Sequence, residues 1–388
     1  MMCYIYSWKN VQKNIIVAKE VLNMKKIAII AITILTLIII GIFYITNRYL
    51  KEEPEKTQTK VGIIYNGEVN DKGWGQSHYE GINESARELD LKIVYKENVP
   101  YDQSCMDTME NMIEDGCQVI ICNSFDYGDW ILKVAKKHPD VVFLHATGTE
   151  TGDNITTYFG RMYQMRYLSG IVAGMQTETD SIGYVAAFPI SEVNRGINAF
   201  TLGVKSVNPD ATVHVIWTES WTDYDSNKIG AETLIDECGV DIIAMHCDSV
   251  APLDVAEEKG VWSIGYNMDN SKLYPNSFLT APVWNWSTFY TPQIEKIIQG
   301  RYYSGNYWQG SETGLIKLAP LTENVKPGIS TVVAEKKAML DAGTYDVFYG
   351  PVTDNEGKIR ILEGENMSDG VMLNGFDWYV EGVKKYEE

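Results

Sequence analysis

Cysteine, histidine and proline are scarce in this chain of 388 residues, with six, five and twelve of each. No CxxC pair occurs, and no Cys/His cluster has metal-ligand spacing, so the sequence carries no signal for a metal site or a dithiol redox site. Cys105 and Cys117 stand twelve apart on a segment with helical patterning. That is about 18 Å along a helix axis, too far for them to bridge each other. The body cysteines read as small buried apolar residues, which in an exported protein suits an anoxic habitat. Basic runs are also missing. Residues 1–50 carry six Lys or Arg against one acid, while the rest carries 27 basic and 51 acidic groups, a net charge of −24. Such a body repels a phosphate backbone, which argues against nucleic acid as a partner. No GxGxxG follows a strand, and GxxxxGK[ST], HExxH and GxSxG are absent. No carboxylate spacing isolates a catalytic pair. The expectation is therefore no enzyme and no cofactor.

What the chain does contain begins with Ile27 to Ile45, nineteen residues without a charge. As a helix this run spans roughly 28 Å, close to the hydrocarbon thickness of a bilayer. Lys9, Lys13, Lys19, Lys25 and Lys26 all precede it, so the positive-inside tendency puts the body on the outer face of the cell membrane. Residues 1–26 read as a preface and signal n-region, 27–45 as a transmembrane signal anchor and 46–60 as a polar stalk. No Cys suited to lipid attachment follows the run, and no small-x-small cleavage site is present. Retention is favoured over cleavage, and Met24-Lys25-Lys26 is an alternative start.

The body holds nine of the chain's ten Trp, with most of its twenty-four Tyr, and cannot be a disordered chain. Short apolar runs alternate with helical patterns. Val61–Tyr65, Leu91–Tyr95, Val119–Cys122 and Val141–His145 read as strands, with helices between. The pattern restarts after Asp180 with strands at Ile182–Ala186, Val213–Trp217, Val240–Met245 and Val261–Ile264. Apolar strands at this spacing mean parallel sheets covered on both faces. The expected fold class is α/β, with two doubly wound parallel-sheet lobes, a hinge and a cleft between them. Lobe one is 61–180 and lobe two 181–275, each completed by part of 276–388, a tail long enough to cross between the lobes more than once.

In open parallel sheets ligands sit beyond the carboxyl ends of the strands. There the sequence offers Asp71 and Trp74, then Ser124 and Phe125, then Phe188, Trp221, Asp248, Asn267 and Asp269, with Trp284 in the return segment. Rings that stack and Asp or Asn that read edges suit a flat, polar, mostly uncharged ligand. Each residue also has a purely structural reading: Asp71 and Asp248 as helix caps, Asn267 and Asp269 as braces of a turn, Trp74 as packing on the sheet.

Several stretches resemble the basic-membrane-protein family of ABC transporter substrate-binding proteins, among them the purine nucleoside receptor lipoproteins and, closer in pattern, adenine-binding members. They are Asn70-Asp-Lys-Gly-Trp-Gly75, Gly183-Tyr-Val-Ala-Ala-Phe-Pro-Ile190, Val193-Asn-Arg-Gly-Ile-Asn-Ala-Phe-Thr-Leu-Gly203 and Asp248-Ser-Val-Ala-Pro252. The resemblance implies a type I periplasmic-binding-protein fold and a monomer that delivers a purine base or nucleoside to ABC permease subunits served by a cytoplasmic ATPase. It also implies that the aromatic at Trp74 stacks on the base with Asp71 beside it, and that Phe188 or Trp221 closes the sandwich. Nucleoside-binding members have Gly-Val-Asp-x-Asp where this chain has Asn267, a departure that favours a free base, adenine first. A ligand-sensing receptor of the same fold is the alternative.

Overall fold

The computed structural model describes residues 2–51 and 58–386. The chain separates into two compact units, Met1–Gln58 and Thr59–Glu388. In the first unit one helix runs Met2–Lys51. Its stretch Val11–Asn47 is long and apolar enough to cross a membrane, and none of that window is buried against protein. The hydroxyls of Thr33, Thr36 and Thr46 donate to the carbonyls of Ile29, Ile32 and Ile42, which satisfies them without water. This helix suits a membrane anchor with the body on the outer face. It is longer than the apolar run, and it takes in residues 46–51, expected in the stalk, because no proline precedes Pro54. The stalk residues 52–57 lie outside the described residues.

The second unit contains two six-stranded sheets in which every pairing is parallel. In the first, Lys60–Ile64 lies between Lys92–Lys96 and Val119–Cys122, followed by Val142–Ala146, Ile155–Gly160 and Gly305–Gln309. In the second, Ser181–Ala186 lies between Thr212–Trp217 and Ile242–His246. Trp262–Ile264 and Phe278–Thr280 extend that sheet on one side and Val383–Lys385 on the other. The central strands are buried along nearly their whole length, which is why they read as unbroken apolar runs. The expected fold class is the one observed: two α/β lobes with a type I periplasmic-binding-protein arrangement.

Of residues 276–388, Phe278–Thr280 and Val383–Lys385 are strands of the second sheet and Gly305–Gln309 is a strand of the first. The chain leaves the first lobe near Arg161, and helix Tyr163–Gln176 packs on Ser191–Lys205 of the second. The two helices meet at glycines: a Cβ on Gly170 would lie 2.0 Å from the Phe200 carbonyl oxygen, and one on Gly203 would lie 2.0 Å from that of Tyr167. Helix Ser287–Ile298 returns to pack on Trp74–Leu89 of the first lobe. Between the lobes, Pro282–Trp284 pairs antiparallel with Ile316–Leu318. Gly160 fits against this ribbon because a Cβ there would stand 2.6 Å from Ile316. The edge strands Gly305–Gln309 and Val383–Lys385 have no sequence counterpart above, since they are polar and partly exposed.

Register brings the strand ends together. Ile64 pairs with Cys122, Cys122 with His145, and Ala186 with His246. The loops that follow these ends are the facing walls of the cleft.

Candidate functional site

On the first lobe the site starts from a helix cap. Asp71 accepts hydrogen bonds from the backbone N–H of Gly73 at 2.8 Å, Gly75 at 2.7 Å and Gln76 at 2.9 Å. Those are donors that a helix start leaves unpaired. The cap sets Trp74 at the cleft end of the helix. Its indole Nε1–H donates to the Asn123 carbonyl at 2.7 Å, so the ring offers a ligand its faces and not its donor. Behind it stand His78, 4.3 Å away edge-on, and Trp284 and Trp286. Asn123 is buried. Its Oδ1 accepts from the Asn66 N–H at 3.1 Å, and its Nδ2 has no partner among the described residues. Ser124 and Tyr101 share a hydroxyl contact of 3.0 Å.

The second lobe answers with Phe188 and Trp221, their ring centroids 5.8 Å apart. The Trp221 carbonyl accepts from the Asp248 N–H at 2.7 Å, tying the two wall segments together. Behind them Tyr266 carries the Arg166 guanidinium over its ring at 3.7 Å, and Arg166 Nη1 donates to the Met245 carbonyl at 2.7 Å. Across the mouth, Asn270 Nδ2 of the second lobe donates to the Lys72 carbonyl of the first at 3.0 Å.

Between these walls lies a cavity of about 450 Å3, within the size range of small-molecule sites. Asn66, Trp74, Tyr101, Asn123–Asp126 and Thr147 line it from one lobe, and Phe188–Ile190, Glu192, Trp221, Asp248 and Tyr266 from the other. No Lys, Arg or His is among these residues, while Asp126, Glu192 and Asp248 are. Burial pushes the Asp248 carboxyl well above the usual range, helped by the carboxylates of Asp71 and Glu192 and opposed by its bond from Asn267. Burial also raises Glu192, against the pull of Arg195 and Arg166, and raises Asp126. Burial, with Arg166 and Arg195, lowers His246 well below its ordinary range, and its Nε2 stands 3.5 Å from Glu192. A site of rings, amides and carboxyls, with no cationic side chain among its lining residues, suits an uncharged ligand and disfavours an anion.

Of the residues singled out from sequence, Trp74, Ser124, Phe125, Phe188, Trp221 and Asp248 line this cavity. Asp71, Asn267, Asp269 and Trp284 do not. Asp71 spends both oxygens on the helix cap. Asn267 is fully buried and sits behind Asp248, to which its Nδ2 donates at 3.1 Å. Trp284 stands one layer further back, donating to Asn267 Oδ1 at 3.0 Å and stacking on Trp286 at 4.2 Å. Asp269 is exposed and accepts from the Ser271 N–H in a local turn. Sequence reasoning passed over Tyr101, which follows strand Lys92–Lys96, and Glu192, which reads as a helix start. The strand-end rule, applied to that second strand as well, would have found Tyr101.

A family model for PnrA-like ABC transporter substrate-binding proteins matches residues 58–342. A purine-binding protein of Brucella abortus is 37% identical over 326 residues, covering 84% of this chain and 92% of that protein. A protein of Haloferax volcanii assigned by name as an ABC transporter glucose-binding protein is also 37% identical, over 83% of this chain and 79% of its own length. Among solved structures, an ABC transporter solute-binding protein of Aeropyrum pernix superposes with a TM-score of 0.66 at 17% identity, over 74% of this chain and 92% of that one. That likeness speaks for the fold. Family match, relatives and two-lobed cleft agree: the chain belongs to the PnrA-like basic-membrane-protein family of ABC transporter substrate-binding proteins, which bind solutes for import and carry out no catalysis.

Proposed function

We propose that this protein captures a free purine base, adenine first, at the outer face of the membrane and delivers it to an ABC permease. One observation carries the reading: a single cavity walled by Trp74 from one lobe and by Phe188 and Trp221 from the other, with no cationic side chain lining it. Rings from both lobes can stack on the two faces of a planar base, and such stacking is sequence-tolerant and strong. The unpartnered Nδ2 of Asn123, with Ser124 and Asp248, supplies donors and acceptors for the base edges. The Brucella relative's purine binding supports the same ligand class. Asn267, buried behind Asp248, offers no carboxylate to a ribose, which favours the free base over a nucleoside.

The mechanism is hinge closure. Ligand enters the open cleft, contacts both lobes and stabilises the shut form, which docks on the permease. The monomer suffices for this, since both walls come from one chain. A second reading is a hexose, favoured by the Haloferax relative, because rings and amides also serve a pyranose. Thermal-shift measurements on the full chain in detergent, stripped of ligand, separate them, since binding to the folded state raises the melting temperature. Adenine is expected to shift it, with adenosine weaker and glucose inert. A shift with glucose alone would overturn the purine reading, and a shift with adenosine alone would overturn the free-base reading.

A further inference from the structure

Trp284 and Asn267, both singled out from sequence, form a directional relay. An indole N–H can only donate, so the Asn267 atom 3.0 Å from Trp284 Nε1 is the amide oxygen. The amide nitrogen is thereby turned to Asp248, where it donates to Oδ1 at 3.1 Å. Oδ1 is committed as an acceptor, and Oδ2 is the oxygen left for the cavity. We propose that Trp284 and Asn267 are positioning residues that make Asp248 meet the ligand through Oδ2–H as a donor, so that the site selects a purine with an unprotonated ring nitrogen at that edge. The proposal rests on the purine reading.

The surroundings agree with the proton's placement. The Asp71 carboxylate raises the Asp248 carboxyl across the cleft mouth. Asp71 accepts three backbone N–H bonds, whereas Asp248 accepts one amide bond and has no ion pair among the described residues. Burial raises the Asp71 carboxyl too, against its three backbone N–H bonds; on Asp248 only the Asn267 bond opposes burial, so of the two Asp248 holds its proton more tightly. The remaining ionisable groups acting on Asp248 are Glu192 from helix Ser191–Lys205, Tyr101 from the first lobe, Tyr266 and its neighbour Cys247. None of them is a cation. An aspartate at 267 would still accept from Trp284, yet it could not donate to Asp248, so the amide is what gives the relay its direction.

The test is Asp248→Asn in the full chain, held in detergent. The asparagine keeps an acceptor toward Asn267 and puts N–H where Oδ2–H stood. Adenine affinity in this variant is expected to lose its pH dependence. Wild-type affinity is expected to be flat at low pH and to fall about tenfold per pH unit once the Asp248 proton is lost. Trp284→Phe keeps a ring on Trp286 but frees the amide, and is expected to move that alkaline limb, which a packing role alone would not do. In the ligand-free protein, a protonated-carboxyl infrared band at neutral pH should disappear in Asp248→Asn. A pH dependence that persists in Asp248→Asn, a wild-type affinity that rises with pH, or no such band would each overturn the proposal. Failure of wild type to bind adenine at all would overturn the purine reading, and the band alone would then judge the proton.

Discussion

Replacing Trp221 by alanine separates ligand stacking from folding better than any other change in the cleft. The side chain is half-buried and packs on Phe188 at 5.8 Å and His246 at 6.4 Å. Its structural hydrogen bond, to the Asp248 N–H, is made by the backbone carbonyl and survives the substitution. Loss of a partly buried ring with these contacts costs about 1–2 kcal/mol of stability. Loss of a stacking face against a base costs about 1–3 kcal/mol of binding, or roughly 5- to 150-fold in Kd. With ligand at about 1,000 times the wild-type Kd, binding stabilises the fold by about 4 kcal/mol. A thirtyfold weaker variant retains about 2 kcal/mol at the same concentration. The assay is therefore paired melting, with and without adenine, alongside calorimetric titration. The ligand-free Trp221→Ala protein should melt cooperatively a few degrees lower, while its adenine-induced shift falls to about half. An unchanged Kd would refute Trp221 as a stacking face and leave Phe188 as the second lobe's ring in the sandwich.

Asn270→Ala removes the hydrogen bond to the Lys72 carbonyl across the mouth; at about 1 kcal/mol it should speed ligand dissociation roughly fivefold in stopped flow and leave the association rate alone. Gly203→Ala places a Cβ 2.0 Å from the Tyr167 carbonyl oxygen, so the helices must separate, and a loss of about 1–3 kcal/mol should appear in the denaturant midpoint. Asp354 is buried; burial opposes its charge, yet Arg360 and the N–H groups of Lys358 and Glu356 hold its carboxyl below the usual range. Its folded value lies below the unfolded one, so the stabilisation is present above about pH 4 and disappears as pH falls through the folded value. The stability gap between wild type and Asp354→Asn should accordingly be widest at neutral pH and close on acidification; a gap independent of pH would refute this.

How much of this could be read in the residues follows from what each signal measures. Central strands such as Val119–Cys122 are buried on both faces, and an unbroken apolar run is the direct record of that burial. Edge strands such as Gly305–Gln309 alternate or face water, so no run marks them, and only the partner strand Ile155–Gly160 defines them. For the site, the strand-end rule locates a residue along the chain but not the direction of its side chain. Phe188 and Trp221 leave their strands toward the cavity, whereas Asn267 stands at φ +69° and its amide turns behind Asp248. Asp71 has cleft-side spacing, and its oxygens accept from three nearby N–H groups that no spacing announces. The same limit explains Trp284: its single donor is satisfied by Asn267, so its effect on a ligand passes through an amide and a carboxyl. A two-step relay of this kind leaves no spacing pattern in a sequence, because its members, at 248, 267 and 284, are joined by hydrogen-bond polarity and not by periodicity.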